Sequence, residues 1–91
     1  MRFEWDPRKA EINERKHGVK FEEGVDIFED PLSMTGFDPD HSMDEERYIT
    51  IGQTKIGRFL VVSHTDRYGA IRIISARRAT RREIKDYEDV G

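Results

Sequence analysis

The sequence predicts an α+β fold, in which a small, mostly antiparallel β-sheet carries two N-terminal helices and one C-terminal helix packed on it. Three observations lead to this prediction: helix start and stop signals near the N-terminus, short β-branched segments separated by short turns, and a capping box before the C-terminal segment. Consecutive strands with short turns pair antiparallel and are covered by amphipathic helices. With 91 residues, one domain over residues 1–91 is expected.

The first helix carries the clearest local signals. Phe3–Trp5 alternates in polarity and predicts a short strand before it. Asp6 is a suitable N-cap, and Pro7 suits the first helical position. The helix is expected to run from Pro7 to about His17 and to end at Gly18 as a left-handed C-cap.

A second, shorter helix is predicted from a single apolar stripe. Phe21, Val25 and Phe28 are spaced i, i+4, i+7, which places them on one helical face. Asp30-Pro31 ends this helix, because the residue before a proline disfavours the helical conformation. Leu32–Phe37 then predicts a strand.

The remaining strands are expected to form the centre of the sheet and to lead into a final helix. Thr80 and Glu83 form a capping box, so this helix should begin there and run to about Glu88, with Ile84 and Tyr87 on one face. The predicted segments before it are a loop over Asp38–Glu46, a strand over Arg47–Gly52, a turn over Gln53–Gly57, and a hairpin with arms Phe59–Val62 and Ile71–Ile74 around a polar bend, Thr65–Gly69.

Charge is distributed unevenly along the chain. The net charge is −3. Residues 1–46 contain 6 Lys and Arg against 14 Asp and Glu, whereas residues 47–91 contain 10 against 5. A basic second half suggests a polyanionic partner, although the two halves could simply neutralise each other in the fold. The chain lacks cysteine, an apolar run of membrane-spanning length and a signal-peptide segment, so a cytoplasmic location is expected.

Several classes of chemistry lack their sequence signatures. His17, His41 and His64 are far apart, and none lies in a metal-binding motif. Neither a glycine-rich phosphate loop nor a serine-nucleophile elbow is present. The sequence therefore predicts neither a metal site nor a cofactor.

Metal-free RNA cleavage remains compatible with the available side chains. It requires a base for the 2′-hydroxyl, cations for the phosphorane and an acid for the leaving oxygen. Arginines bind phosphate through two parallel hydrogen bonds, and histidine titrates near neutral pH. The candidate catalytic residues are Arg72, Arg77, His64 and Glu46, with Glu45 as an alternative base, and the candidate RNA-binding residues are Arg58, Arg78, Arg81 and Tyr87.

Each candidate also has a structural interpretation. His64 could be a surface histidine that forms a hydrogen bond across the hairpin, and Arg72 could form an ion pair with Glu45 or Glu46. Tyr87 could belong to the core. The polar segment from His41 through Arg47 could serve only to cap the loop.

A series of short motifs resembles the BrnT family, the toxin component of a bacterial type II toxin–antitoxin pair. The resemblance runs from Phe3 to about Glu88 and is specific because many motifs occur in the same order. They are Phe3–Asp6, Lys9, Asn13, Lys16–Val19, Phe21–Glu23, Phe28 with Asp30-Pro31, His41-Ser42, Glu45–Arg47, Ile51-Gly52, Gly57-Arg58 and Ile71–Arg77.

The resemblance implies a RelE-like fold and a ribonuclease that arrests translation. It also implies neutralisation by a DNA-binding antitoxin, BrnA, in a complex expected to hold two copies of each subunit. That complex would repress its own operon, so contact with operator DNA would come only through the antitoxin. The resemblance supplies no secure catalytic set, because RelE-like toxins use varied side chains. The alternative is a non-catalytic domain that binds protein or nucleic acid.

One geometric question concerns the two leading arginines. Side chains alternate between the faces of a strand, so Arg72 and Arg77 would point to opposite faces of a regular strand. A bulge near Ser75 would bring both onto one face. Without a bulge, they cannot both serve one site.

Overall fold

The computed structural model describes residues 1–41 and 45–90. In that part of the chain it has an α+β fold with three α-helices and a five-stranded sheet, as the sequence predicts. The elements are β1 (Arg2–Glu4), α1 (Pro7–His17), α2 (Phe21–Asp26), a 3₁₀ turn (Ile27–Glu29), β2 (Met34–Phe37), a second 3₁₀ turn (Pro39–His41), β3 (Tyr48–Gln53), β4 (Phe59–Arg67), β5 (Ala70–Arg78) and α3 (Arg81–Val90).

The sheet has the strand order β1-β5-β4-β3-β2. Strands β2 to β5 pair antiparallel in chain order, whereas β1 pairs parallel with the start of β5. The parallel pairing covers only Arg2–Glu4 against residues 70–72. Among the described residues, no other strand pairs with the rest of the outer edge of β5.

The first helix follows its local signals. The Asp6 carboxylate accepts a hydrogen bond from the backbone N–H of Arg8 at 2.9 Å, and Pro7 occupies the first turn. At the other end Gly18 has φ of 67° and donates its N–H to the carbonyl of Glu14 at 2.8 Å. The predicted bounds of α1 are confirmed.

The second helix is shorter than predicted. Helix α2 ends at Asp26 and continues as a 3₁₀ turn to Glu29, so Phe28 lies outside the α-helix. Strand β2 begins at Met34 and not at Leu32, because the Asp30 side chain accepts from the backbone N–H of Leu32 and holds a turn there. The predicted loop over 38–46 contains a 3₁₀ turn, and Ser42, Met43 and Asp44 lie outside the described residues.

The β4–β5 hairpin is longer and tighter than predicted. Both strands extend to a two-residue turn at Tyr68 and Gly69, which have φ of 51° and 79°. Two left-handed residues fit the twist of a two-residue hairpin turn, so pairing continues to Arg67 and Ala70. The predicted bend over Thr65–Gly69 contains this turn but is three residues too long: Thr65 is buried within β4, which continues to Arg67.

The sheet has two different faces, set by the alternation along β4. Leu60, Val62 and His64 point to the side of α1 and α2, which we call the helix face; here they pack with Val19, Phe21, Ile27, Ile73 and Ala76 as the core. Val61, Ser63 and Thr65 point to the other side, which we call the arginine face because Arg72 and Arg77 lie on it. Helix α3 covers one end of that face, where Phe59 and Tyr87 are in edge-to-face contact at 5.5 Å.

Helix α3 begins as the capping box predicts and continues to Val90, two residues beyond the predicted end. The Thr80 hydroxyl accepts from the backbone N–H of Glu83 at 3.2 Å, and the Glu83 carboxylate accepts from the backbone N–H of Thr80 at 2.8 Å. Tyr87 donates its hydroxyl to Asp30 at 2.6 Å, which fixes α3 against the end of β3.

Candidate functional site

A β-bulge in β5 determines which side chains meet on the arginine face. Ser75 pairs with Ser63, but the next residue of β4, His64, pairs with Ile73. Ile74 is therefore an extra residue in β5, which is the definition of a bulge. It lies directly beside Ser75, where the two-arginine hypothesis requires it.

The bulge puts Arg72 and Arg77 on the same face. Arg72 pairs with Thr65 and Arg77 with Val61. Thr65 and Val61 are four residues apart on β4 and share a face, and directly opposed residues of antiparallel strands share it too. The two arginines are therefore separated by about 13 Å along the strand and point to one side of the sheet.

Each of these arginines is held by a carboxylate, but with different strength. Arg77 donates to both oxygens of Glu83, at 2.8 and 2.9 Å. This hydrogen bond from Arg77 holds the pKa of Glu83 at about 2. Arg72 lies 3.7 Å from Glu4, too far for a hydrogen bond, and the two side chains are 28% and 36% exposed. Arg72 is thus the more loosely held cation.

The partner of Arg72 differs from the structural alternative considered from the sequence. An ion pair of Arg72 with Glu45 or Glu46 is wrong, because Arg72 pairs with Glu4 of β1. Glu45 instead pairs with Arg67 at 3.2 Å. The parallel pairing of β1 with β5 places Glu4 directly beside Arg72.

His64 lies on the helix face, opposite the two arginines. It is 5% exposed, its ring contacts Phe28 and Tyr48, and its Nε2 lies 2.7 Å from the Thr50 hydroxyl. Burial lowers its pKa below the usual 6.5, against a smaller opposite effect of Asp66. The alternative of a surface histidine is wrong. A general base must lie within hydrogen-bonding distance of the proton that it removes. The buried His64 ring lies on the other side of the sheet from the two arginines, so it does not reach a substrate bound on the arginine face.

The backbone of Glu46 lies near the Arg72 end of the face, whereas its carboxylate lies toward the helix face, beside Tyr48. Its backbone carbonyl accepts from the Thr65 hydroxyl at 2.7 Å, and Thr65 is the residue opposite Arg72. Its exposed carboxylate accepts from the Tyr48 hydroxyl at 2.9 Å, and this hydrogen bond raises the pKa of Tyr48. Of the polar segment from His41 to Arg47, residue Ser42 lies outside the described residues.

The RNA-binding candidates divide into two groups. Arg58, Arg78 and Arg81 lie at the end of the sheet where β5 passes into α3, and a cleft of about 330 Å³ there is lined by Arg58, Arg78 and Ile84. Arg58 donates to Glu23, whereas its buried Nε and Nη2 have no hydrogen-bond partner among the described residues. Tyr87 does not join this group. It is buried, and its hydrogen bond to Asp30 raises its pKa to about 12.

Two carboxylates of the face were absent from the sequence candidates. Glu4 was visible only as the middle residue of a short alternating strand, and Glu83 only as part of a capping box. Neither signal predicts an ion pair with an arginine, because the pairs of Glu4 with Arg72 and of Glu83 with Arg77 form only once the sheet is assembled. Among the described residues, no group of three or more His, Cys, Asp or Glu side chains could hold a metal ion. None of the helices described is long and apolar enough to cross a membrane.

Fold and face together define a small α+β protein whose sheet carries two arginines, each paired with a carboxylate, on one side. The chain matches the family model described as ribonuclease toxin, BrnT, of type II toxin–antitoxin systems over residues 5–83, and it belongs to that family. Membership implies ribonuclease activity as the family's chemistry and an antitoxin as a partner.

A solved structure supports the same assignment. The 1.1 Å crystal structure of the Brucella abortus ribonuclease toxin BrnT matches this protein with a TM-score of 0.66 and 29% identity, covering 89% of this chain and 99% of that chain. No curated protein sequence matches the chain.

Proposed function

We propose that this protein is a metal-independent endoribonuclease that cleaves RNA in the cytoplasm and thereby inhibits translation. The observation that carries the proposal is the bulge at Ile74, which puts Arg72 and Arg77 on one face of a rigid strand pair. Two arginines on one side of a sheet can bind an anionic strand that lies across it.

The spacing of the arginines favours contacts with different phosphates of one RNA strand. At about 13 Å of separation along the strand, they would not converge on one phosphate without large movements. We assign the scissile phosphate to Arg72. Its ion pair with Glu4, at 3.7 Å, is longer than a hydrogen bond, so a phosphate oxygen can replace the carboxylate at little cost.

A carboxylate near Arg72 would act as the general base. The Glu4 carboxylate lies 3.7 Å from Arg72 and can take the 2′-hydroxyl proton while Arg72 stabilises the phosphorane and water protonates the leaving 5′-oxygen. Glu46, whose carboxylate accepts from Tyr48, would serve as the base only after its side chain turns to this face. Arg77, held by Glu83, would position a neighbouring phosphate. Arg81 would add a cation near α3, whereas Arg58 and Arg78, which lie toward the helix face, would contact RNA only around the end of the sheet. His64 and Tyr87 act only through the sheet and helix that they hold in place.

The experiment is cleavage of a structured RNA by purified toxin, free of antitoxin, in EDTA. We expect cleavage with 2′,3′-cyclic phosphate ends, and its loss in the folded double variant Arg72→Ala/Arg77→Ala. The matched control is Arg8→Ala/Arg15→Ala, which removes two exposed arginines of α1 away from the face. Full activity in the first variant would contradict the assignment. RNA binding by the wild type without cleavage would favour the non-catalytic alternative.

The partner of the toxin is proposed to be a BrnA-like, DNA-binding antitoxin. Family membership supports an antitoxin, and the resemblance suggests two copies of each subunit. The resemblance also suggests that operator DNA is reached only through the antitoxin. Light scattering on the purified complex and an operator gel shift, with and without antitoxin, test these points.

A further inference from the structure

A groove lies where α1 crosses the unpaired part of the β5 edge. Beyond residue 72 no strand of residues 1–41 or 45–90 pairs with the edge of β5, and α1 packs along it. The bulge residue Ile74 and Ser75 form one wall, and Lys9, Ile12, Lys16 and His17 of α1 form the other, around a volume of about 200 Å³.

The backbone at this edge is already satisfied at its centre. The Asn13 side-chain amide donates to the carbonyl of Ala76 at 2.8 Å and accepts from its N–H at 3.1 Å. It therefore occupies the hydrogen-bonding positions that an added strand would need. A partner at this groove must bind side chains and not extend the sheet.

The side chains of the groove combine an apolar floor with a basic rim. Ile12 is 56% exposed, although it lies on a helix whose outer surface is otherwise polar, and Ile74 is half-buried opposite it. Lys9 and Lys16 flank Ile12 at i−3 and i+4, so all three share one face of α1. No acidic residue lines the groove within the part of the chain that the structure describes.

We propose that an acidic, amphipathic segment of the antitoxin docks in this groove, with an apolar side chain between Ile12 and Ile74 and carboxylates at Lys9 and Lys16. Charge complementarity identifies this occupant. RNA is the less suitable ligand, because an exposed isoleucine contributes nothing to phosphate binding and the bidentate arginines lie elsewhere.

The groove also adjoins the proposed catalytic surface. Ser75, in its wall, lies between Arg72 and Arg77 along β5. A segment bound here would border the arginine face and obstruct an RNA strand across it. The prediction that a bound segment inhibits RNA cleavage rests on the proposed function, whereas the prediction that the segment binds in the groove does not.

The primary test measures the affinity of the purified cognate antitoxin for the toxin by calorimetry. Lys9→Glu/Lys16→Glu should weaken binding by about 10-fold or more, with a reduced dependence on salt. Arg8→Glu/Arg15→Glu makes the same change of charge on the same helix outside the groove and should bind within about 3-fold of the wild type. Equal effects in both variants would overturn the proposal, because they would reflect net charge alone.

A second pair of variants tests the apolar contact. Ile12→Glu should lose about 10-fold or more in antitoxin affinity, while Ile56→Glu, at an isoleucine that is 79% exposed in the β3–β4 turn, should lose none. Circular dichroism and thermal melting verify that each variant is folded. Wild-type affinity in a folded Ile12→Glu variant would overturn the proposal.

Cleavage assays without antitoxin separate this proposal from the proposed function. The groove variants should cleave RNA like the wild type but resist neutralisation. If neither the wild type nor any variant cleaves RNA, the ribonuclease proposal fails. The docking proposal is then judged on the measured antitoxin affinities alone. If Lys9→Glu/Lys16→Glu loses RNA affinity but keeps antitoxin affinity, the groove belongs to the RNA path and the docking proposal is overturned.

Discussion

Glu83 and Arg77 join the last helix to the sheet through two parallel hydrogen bonds of 2.8 and 2.9 Å. The same carboxylate caps α3 by accepting from the backbone N–H of Thr80. One side chain therefore fixes the start of a helix and the orientation of an arginine on the proposed RNA surface.

This pair predicts an acid-sensitive contribution to stability. The pKa of Glu83 is lowered from 4.5 to about 2 in the folded protein, mainly by the hydrogen bond from Arg77. The stabilisation is present above pH 4.5 and is lost as pH falls toward 2. Glu83→Gln should lower the free energy of unfolding by about 1–2 kcal/mol at pH 7, since the pair is partly exposed and screened. Urea unfolding at a series of pH values should show the two proteins converging toward pH 2, and a constant difference would contradict this.

The two arginines of the face should differ when they are removed singly. Arg72→Ala should leave stability nearly unchanged, because its ion pair with Glu4 is long and about one-third exposed. Arg77→Ala should destabilise the protein, because it leaves Glu83 without its bidentate partner. We expect RNA cleavage to fall by about 10²-fold or more in Arg72→Ala and by less in Arg77→Ala. Melting curves and initial cleavage rates measure the two effects, and the reverse order of rates would place the scissile phosphate at Arg77.

His64 should matter for folding and not for chemistry. His64→Gln should destabilise the protein by about 1–3 kcal/mol, because it disrupts the packing with Phe28 and Tyr48 and the hydrogen bond to Thr50. Cleavage per folded molecule should stay within about 3-fold of the wild type, whereas loss of a general base would reduce it by about 10²-fold. A drop of that size without a change in stability would restore His64 as the base.

The general base should be one of two carboxylates. Glu4→Gln and Glu46→Gln each keep the shape of the side chain and remove its charge. The variant that lacks the base should lose about 10²-fold in cleavage rate and also the acidic limb of the pH–rate profile, while the other keeps both. Comparison of the two profiles identifies the residue. Normal profiles in both single variants would exclude these carboxylates as individual bases.

The parts of the fold governed by local signals were predictable from the sequence. Asp6, Pro7 and Gly18 defined α1, and Thr80 with Glu83 defined the start of α3, because caps act within a few residues. The hairpin turn was predicted in the right place but too long, since Tyr68 adopts a positive φ that its residue type does not signal.

The site was less predictable, because it depends on contacts between distant segments. The alternation along β5 showed that Arg72 and Arg77 needed a bulge, but only the paired strands locate it at Ile74. The pairing of Arg72 with Glu4 requires the parallel alignment of the first strand with the fifth. His64 is buried because helices cover its side of the sheet. The sequence of one strand does not show which of its two faces will be covered.

The short length of β1 affects Arg72, whose ion-pair partner Glu4 lies in that strand. Its three residues pair with one neighbour only, so this strand should detach by local fluctuation far more often than the hairpin beside it. Each such opening separates Glu4 from Arg72 and leaves the Arg72 guanidinium without its ion-pair partner, while the rest of the sheet stays intact. Amide hydrogen exchange should accordingly be fast in Arg2–Glu4 and slow in β4 and β5. A phosphate group could then bind Arg72 during a brief opening at the weakest edge of the sheet, and Glu4 would return beside it as β1 pairs again, without any rearrangement of the core.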